Sequence, residues 1–447
     1  MQAEQTMNAT TALPPSSFRV VRKDDKSRAD VPFWDSITAG ILCFGLVYLT
    51  FTDWLVEYFN QDIFVAISRF SRAILLGYFL YYLARTGFSF TRYGFRFGGM
   101  LFILAISLFV YALFDNHVLE GLYAYVRTLH WIIGIVVAYR LVRSGALTLE
   151  KLANAIRAII VIAVVFTLFY MRTPAFETSY NASAYPLLYT LPLLLMRPKL
   201  GAKDLIFLAM AVLGIIVTVK RGAVLGLGAS VLTYLVCAFY VTRSARHVTR
   251  LIMLSFVLLV AISATAAWRW ERIQERTTDE KLLDPQKGGS GRFGLWRRIY
   301  YNWSSGDTTV ILFGRGNRTH MFTHPNPKRI VHAHSDLFAF LHDQGLYGVL
   351  LLGLFHLSYL RILFPLLFRR DARAPSFAMG YVVLCCVNLY SGAFKDPNFL
   401  VFALLISYVA GTSAKPPARY FFLLNPPPDP PASEEVKAQA LVHDPVS

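Results

Sequence analysis

Charge is scarce in this chain. Only 16% of its 447 residues are Asp, Glu, Lys or Arg, and the acids among them are outnumbered, 27 against 44. So little charge, with 55% hydrophobic residues and a mean hydropathy of +0.46, excludes a water-soluble globule. Cysteine is scarce too. Cys43, Cys237, Cys385 and Cys386 all lie inside apolar segments, where each reads as a small hydrophobe, and their spacing offers neither a disulfide framework nor a CxxC metal site. The residues ahead of the first apolar run are polar and carry Arg19, Arg22, Lys23, Lys26 and Arg28, so a cleavable signal peptide is not expected and the N-terminus is expected to stay in the cytoplasm. No internal repeat is evident.

What the chain does have is long apolar runs. A helix crossing ~30 Å of hydrocarbon needs about 20 residues, and twelve runs of that order predict an all-α polytopic membrane protein. They are Trp34 to Thr52, Phe64 to Ala84, Gly98 to Phe114, Leu122 to Tyr139, Ala155 to Met171, Tyr180 to Met196, Leu205 to Val219, Gly222 to Val241, Leu251 to Trp268, Leu346 to Phe368, Phe377 to Ala393 and Leu400 to Gly411. Short cytoplasmic connections collect Lys and Arg. With the N-terminus inside, the five inner connections and their flanks hold sixteen basic residues, against four (Arg172, Lys220, Arg221 and Lys395) in the short outer ones. This asymmetry puts both termini in the cytoplasm and accounts for the net charge of +17 by topology, without nucleic-acid binding.

The chain accordingly divides into a cytoplasmic N-terminal segment (1–33), nine transmembrane helices (34–268), one long external loop (269–345), three further transmembrane helices (346–411) and a cytoplasmic tail (412–447). The proline and charge content of that tail reads as disorder. The loop holds five of the ten histidines. Within it, "RFGLWRRIYYNW" suits a helix lying at the outer lipid surface, and "FGRGNRT" supplies a glycine turn.

Ionisable groups at membrane depth are costly unless they face a cavity or a partner. Arg69 and Arg72 share one face of the second helix, Arg127 and His130 lie at similar depth in the fourth, and Lys220 with Arg221 marks the outer junction of the seventh and eighth. Together with Arg292 these residues are expected to converge on the external half of the bundle. Such a basic pocket suits a pyrophosphate, which guanidinium forks bind bidentately. A structural reading competes for Arg69 and Arg72, which could snorkel or pair with Glu57 or Asp62.

The run "VHAHSDLFAFLHDQGLYG" admits three readings. His332, His334 and Asp336, with His320 and His324 upstream, could hold a metal, but HxHxD alone is a weak pattern. His334 could be a general base, since imidazole titrates near the working pH. Or these are polar residues at a helix start, with Ser335 or Asp336 as its cap.

The same run resembles the "HN-x-aromatic-L … G-L-hydrophobic-G" signature of the O-antigen ligase and polymerase superfamily, from His334 through Gly345, Leu346 and Gly348. Ser335 replaces the commoner asparagine, and Leu337 and Phe338 stand in reversed order. "SGRFGLW", "FGRGN" and "VKRGAVLGL" are similar to the family's other elements, in the right order. The resemblance implies a GT-C type glycosyltransferase in a bacterial inner membrane, with twelve helices and a large periplasmic loop over a lateral cavity. Its donor would be a glycan on undecaprenyl pyrophosphate. Carried over, Arg221 and Arg292 would bind the pyrophosphate, with Lys220, Arg69, Arg72 and Arg127 adding charge. His334 would orient or deprotonate the attacking acceptor hydroxyl. His332, Asp336 and Arg315 are candidates to touch the acceptor or support the base.

Inverting transfer of this kind implies no nucleotide, no metal and no cofactor. The acceptor would be the lipid A-core oligosaccharide for a ligase, or a second lipid-linked glycan for an O-antigen or exopolysaccharide polymerase. Ligase is favoured, because only one external loop is large and Leu232 and Trp303 occupy the positions where many polymerases carry glycine. A lipid-linked oligosaccharide flippase is the alternative outside enzymes. It would not need the histidine-rich loop, and the two similar halves of many carriers are not evident.

Overall fold

A computed structural model of the chain describes residues 32–59, 62–87, 97–115, 118–172, 183–197, 200–218, 220–242, 263, 267, 292–322, 332–394 and 399–413. Among them every regular element is helical. In chain order these are α1 (Phe33–Phe59), α2 (Asp62–Thr86), α3 (Gly98–Leu113), α4 (Val118–Arg143), α5 (Leu149–Arg172), α6 (Ala184–Leu195), α7 (Ala202–Val217), α8 (Arg221–Thr242), α9 (Arg292–Ser304), α10 (Thr308–Phe313), a 3-10 turn (Thr319–Phe322), α11 (Asp336–Phe368), α12 (Ala374–Tyr390) and α13 (Phe399–Ser413). Six of them, α1, α2, α4, α5, α8 and α11, are long and apolar enough to cross a membrane, and α3, α6, α12 and α13 are shorter apolar helices. The protein is a helical membrane protein. Eleven of the twelve apolar runs fall on helices; of the ninth, Leu251 to Trp268, only Ser263 and Ala267 are described, both helical, and the opening of the long loop, "KGGSG" and His324 lie outside the described residues.

The core is built from helices that are apolar all round. Every residue of α6 is buried, and α13 is buried along nearly its whole length. A helix without a polar face can only sit inside other helices. α13 packs along α4, and α12 along α8 and α6. Trp131 of α4 locks this centre, with Phe355, Phe394 and Phe399 edge-on around it and its indole N–H donated to the Phe394 carbonyl at 3.3 Å. The outward faces of α2, α3 and α8 keep large apolar side chains exposed, among them Phe70, Ile74, Phe102 and Phe239, as lipid-facing surfaces do.

Two departures from the sequence expectation shape the end that carries His334. α11 starts at Asp336, ten residues before the expected membrane span and inside the segment assigned to the loop. It is broken at Gly345 (φ 64°, ψ −154°) into a short first piece and a long second one. The break leaves carbonyls of the first piece without helical partners, and the turn after α10 supplies them: Arg315 N–H donates to the His342 carbonyl at 2.9 Å and Gly316 N–H to that of Asp343 at 3.0 Å. Only glycine fits where the two segments meet. A Cβ on Gly345 would stand 2.6 Å from the Gly314 nitrogen, and one on Gly314 (φ 78°) would stand 2.3 Å from the Asp343 carbonyl carbon.

The second departure is α9. The helix forms as expected, but its apolar face (Leu295, Trp296, Ile299) is buried in a small cluster with Ala333 and Ala339, while Phe293, Tyr300 and Tyr301 remain exposed. Trp296 stacks on Phe338 with 5.0 Å between centroids and donates its indole N–H to the Ala333 carbonyl at 2.8 Å. α9 therefore braces the segment that carries His332 and His334.

Candidate functional site

The brace fixes the residues ahead of α11 in an unusual shape. His334 has φ 50°, a left-handed conformation that costs a residue with a Cβ about 1–2 kcal/mol. It is one of three residues other than glycine with positive φ among the described residues. Strain of this kind persists where surrounding contacts impose it, and here the Ala333 carbonyl is pinned on one side and the Asp336 carboxylate on the other. Asp336 is buried, and its Oδ2 accepts the backbone N–H of Ala393 at 2.5 Å and of Phe394 at 3.2 Å, tying the start of α11 to the connection between α12 and α13.

The His334 side chain is exposed, yet its ring is partly desolvated by the groups around it. That enclosure, followed by the positive charges of Arg292 and Lys220, pushes the imidazole down to about 4, so it is neutral at physiological pH. Arg292 is the first residue of α9 and Arg221 the first of α8, with Lys220 immediately before it. Lys220 Nζ sits 4.3 Å from the centroid of the Tyr185 ring of α6. Among the described residues no carboxylate pairs with Arg221 or Arg292. A neutral imidazole beside such cations can accept a proton from a hydroxyl while an anion sits nearby.

A second basic group lines a cavity that His332 also lines. A cavity of about 350 Å³ is lined by Arg69 from α2, Tyr123 and Arg127 from α4, Asn317 and Arg318 from the glycine turn, His332, and Asp343 and Gln344 from the first piece of α11. The Arg69 guanidinium stacks 4.4 Å from the Tyr123 ring centroid. Arg318 donates to Glu120 at 2.9 Å, and its backbone N–H donates to Asp343 at 2.8 Å. Asp343 also accepts from the Thr319 hydroxyl at 3.3 Å.

The expected single convergence of six cations thus divides: Arg292 and Lys220 act on His334, with Arg221 next to Lys220 in the chain, and Arg69 and Arg127 line the cavity that His332 also lines. Arg72 belongs to neither. It is buried in an ion pair with Asp53 of α1 and donates to Ser68 as well, so its guanidinium is occupied and cannot serve a pyrophosphate. Its partner is neither Glu57 nor Asp62, as the structural reading expects, but Asp53, one turn before Glu57 on α1. Arg315 is corrected likewise: its side chain donates to the Asn302 carbonyl at 3.0 and 2.7 Å, which ties α9 to the turn. Asp336 is spent on the two backbone amides, which removes it as an acceptor contact. Neither Ser335 nor Asp336 caps α11 through its side chain, and the Ser335 hydroxyl is buried with no hydrogen-bond partner among the described residues. The His320 side chain and His324 lie outside the described residues, so the metal reading of the wider histidine group falls there too.

Sequence reasoning missed Arg318, Tyr123 and Gln344. The first stood in a motif read only for its glycines, and the last was counted through as spacing between His334 and Gly345. No known family model and no curated protein matches the chain.

Proposed function

We propose that the protein is a membrane glycosyltransferase that moves a glycan from undecaprenyl pyrophosphate to a hydroxyl of the lipid A-core oligosaccharide, as an O-antigen ligase of a bacterial inner membrane. In this reading the chain has twelve spans, and the end carrying His334 faces the periplasm. The observation that carries the proposal is the arrangement around His334: a neutral imidazole held in a left-handed conformation between two positioned segments, with Arg292 and Lys220 close enough to depress its titration.

The chemistry follows from that arrangement. Arg221 and Arg292 fork onto the pyrophosphate, and Lys220 adds charge that grows in value as the leaving group becomes more negative. His334 takes the proton of the acceptor hydroxyl as its oxygen attacks the anomeric carbon. The C–O bond to the phosphate breaks on the opposite face, so the configuration inverts, and undecaprenyl pyrophosphate departs with the electron pair. A base whose pKa is about 4 is weak when the site is empty, but a bound dianion raises it and fits it to the proton it must accept. The polymerase alternative uses the same donor and the same groups. The single large loop favours the ligase.

The test is reconstitution. Purified protein is incubated with lipid-linked glycan, with and without lipid A-core. Product that forms only with the core supports the ligase, polymer formed without it selects the polymerase, and no transfer in either condition removes the glycosyltransferase reading.

A further inference from the structure

The cavity beside His332 is not explained by the donor. None of Lys220, Arg221, Arg292 and His334 lines it, whereas His332 does, and two residues of chain span at most about 7 Å, so its contents sit near the His334 imidazole without sharing those cations. Arg69 and Arg127 reach it from different helices. Of its carboxylates, Glu120 accepts from the Arg318 side chain, and Asp343 from the Arg318 amide and Thr319. Arg69 has no carboxylate partner among the described residues and is held by stacking on Tyr123. A second observation points to a ligand with hydroxyls. Gln344, 3% exposed and lining the cavity, keeps its amide oxygen without a hydrogen-bond partner among the described residues. A buried amide in that condition costs about 1–3 kcal/mol unless something fills the space beside it.

We infer that this cavity is a recognition subsite for an anionic saccharide of the acceptor: Arg69 and Arg127 hold a phosphate or carboxylate substituent, Gln344 takes a sugar hydroxyl, and Tyr123 covers the ring. The identity of the acceptor rests on the ligase reading, but the binding site does not. A volume of about 350 Å³ lies at the small end of the range for ligand pockets, so a terminal sugar fits and a polymer does not. Its consequence is selectivity. The donor is gripped by its pyrophosphate, which every lipid-linked glycan shares, whereas the acceptor is chosen by a negative charge placed one sugar from the reacting hydroxyl.

The experiment is thiol protection in the full-length protein. His332→Cys places an exposed cysteine on the cavity wall, and wild type labelled in parallel corrects for the four native cysteines. The probes are phosphorylated core oligosaccharide, the same oligosaccharide after dephosphorylation, and undecaprenyl pyrophosphate carrying a neutral glycan. The inference expects slowed maleimide labelling with the phosphorylated probe alone, and about a tenfold weaker protection once Arg69→Gln is added. Arg127→Gln gives the same result if it folds, and Arg69, exposed at the rim, carries the test if it does not. Equal protection by both oligosaccharides, no protection by either, or protection by the lipid probe alone overturns the inference. Protection without transfer in the reconstituted assay leaves the subsite standing and removes the ligase; transfer without protection does the reverse.

Discussion

The two ends of the helical bundle treat arginine in opposite ways. At the end away from His334, several guanidinium groups meet carboxylates, while Arg85 and Arg370 stack on Trp34 and Tyr240. Asp204, fully buried at the start of α7, accepts from Arg157 at 2.6 Å and from Arg197 at 2.6 and 2.5 Å, and Glu150 joins the same network. Asp371 binds Arg373 side chain and backbone, and the resulting charge holds its carboxyl below the ordinary range. Asp35 and Tyr82 sit against Arg140, with Tyr82 donating to Asp35 at 2.7 Å. At the His334 end, Arg69, Arg221 and Arg292 have no carboxylate among the described residues. Arg72, by contrast, is neutralised by Asp53 of a neighbouring helix. Charge that a fold could neutralise and does not is costly to keep. Paired arginines hold helices together; under the proposed function, the unpaired ones receive the anion that arrives with the substrate.

The largest effect that would break this comparison is on the chemistry. His334→Ala should lower transfer about 100- to 10,000-fold, the range for a lost general base, while the melting temperature stays within a degree or two of wild type. His332→Ala should retain base function, so near-normal transfer by the His334 variant would end that assignment. At the opposite end the pattern inverts. Asp204→Asn strands two guanidiniums, and thermal unfolding should register a loss of about 3 kcal/mol, the lower part of the range for a broken buried pair because both arginines keep some water. Transfer per folded molecule should barely change. An Asp204 variant as stable as wild type would show that the network is ornamental.

How much of this was legible beforehand depends on how local the signal is. The hydropathy of a single segment is enough to find α1, α2, α4 and α8, and their helices fall where the apolar runs predict. The start of α11 was hidden because His342, Asp343 and Gln344 break the apolar pattern, although all three are buried. His342 and Asp343 bond to Thr319, and Asp343 to the Arg318 amide, contacts that no window average registers. His334, Arg292 and Lys220 were legible as candidates by type and place. What decides their roles was not: the pairing of Arg72 by Asp53, the Asn302 carbonyl that takes Arg315, and the backbone clamp between Gly314 and Gly345 are all contacts between residues distant in sequence.

Smaller effects sharpen the donor side. Arg221→Lys and Arg292→Lys preserve charge but lose the fork, and each should weaken donor binding by about 1–3 kcal/mol, read as a rise in apparent dissociation constant with stability unchanged. The pH profile is the finest probe. Because enclosure and the two cations hold the His334 imidazole near 4, kcat/KM for wild type should stay high as pH falls through 6.5 and drop only toward 4. Removing a positive neighbour favours the protonated ring, so Arg292→Gln should move that acid limb upward by up to about one pH unit. An acid limb at 6.5 in wild type would mean that His334 is neither enclosed nor opposed by charge.

The central claim is that the unpaired cations of the His334 end, and not those of the opposite end, hold the pyrophosphate. Its most direct measurement is the binding of undecaprenyl pyrophosphate, set against undecaprenyl monophosphate, to the purified protein and to Arg221→Gln, Arg292→Gln and Arg373→Gln variants. The account predicts that wild type prefers the pyrophosphate, that either of the first two variants loses about tenfold or more of that affinity, and that Arg373→Gln binds as wild type does. Equal binding by all four proteins, or a loss confined to Arg373→Gln, would contradict it.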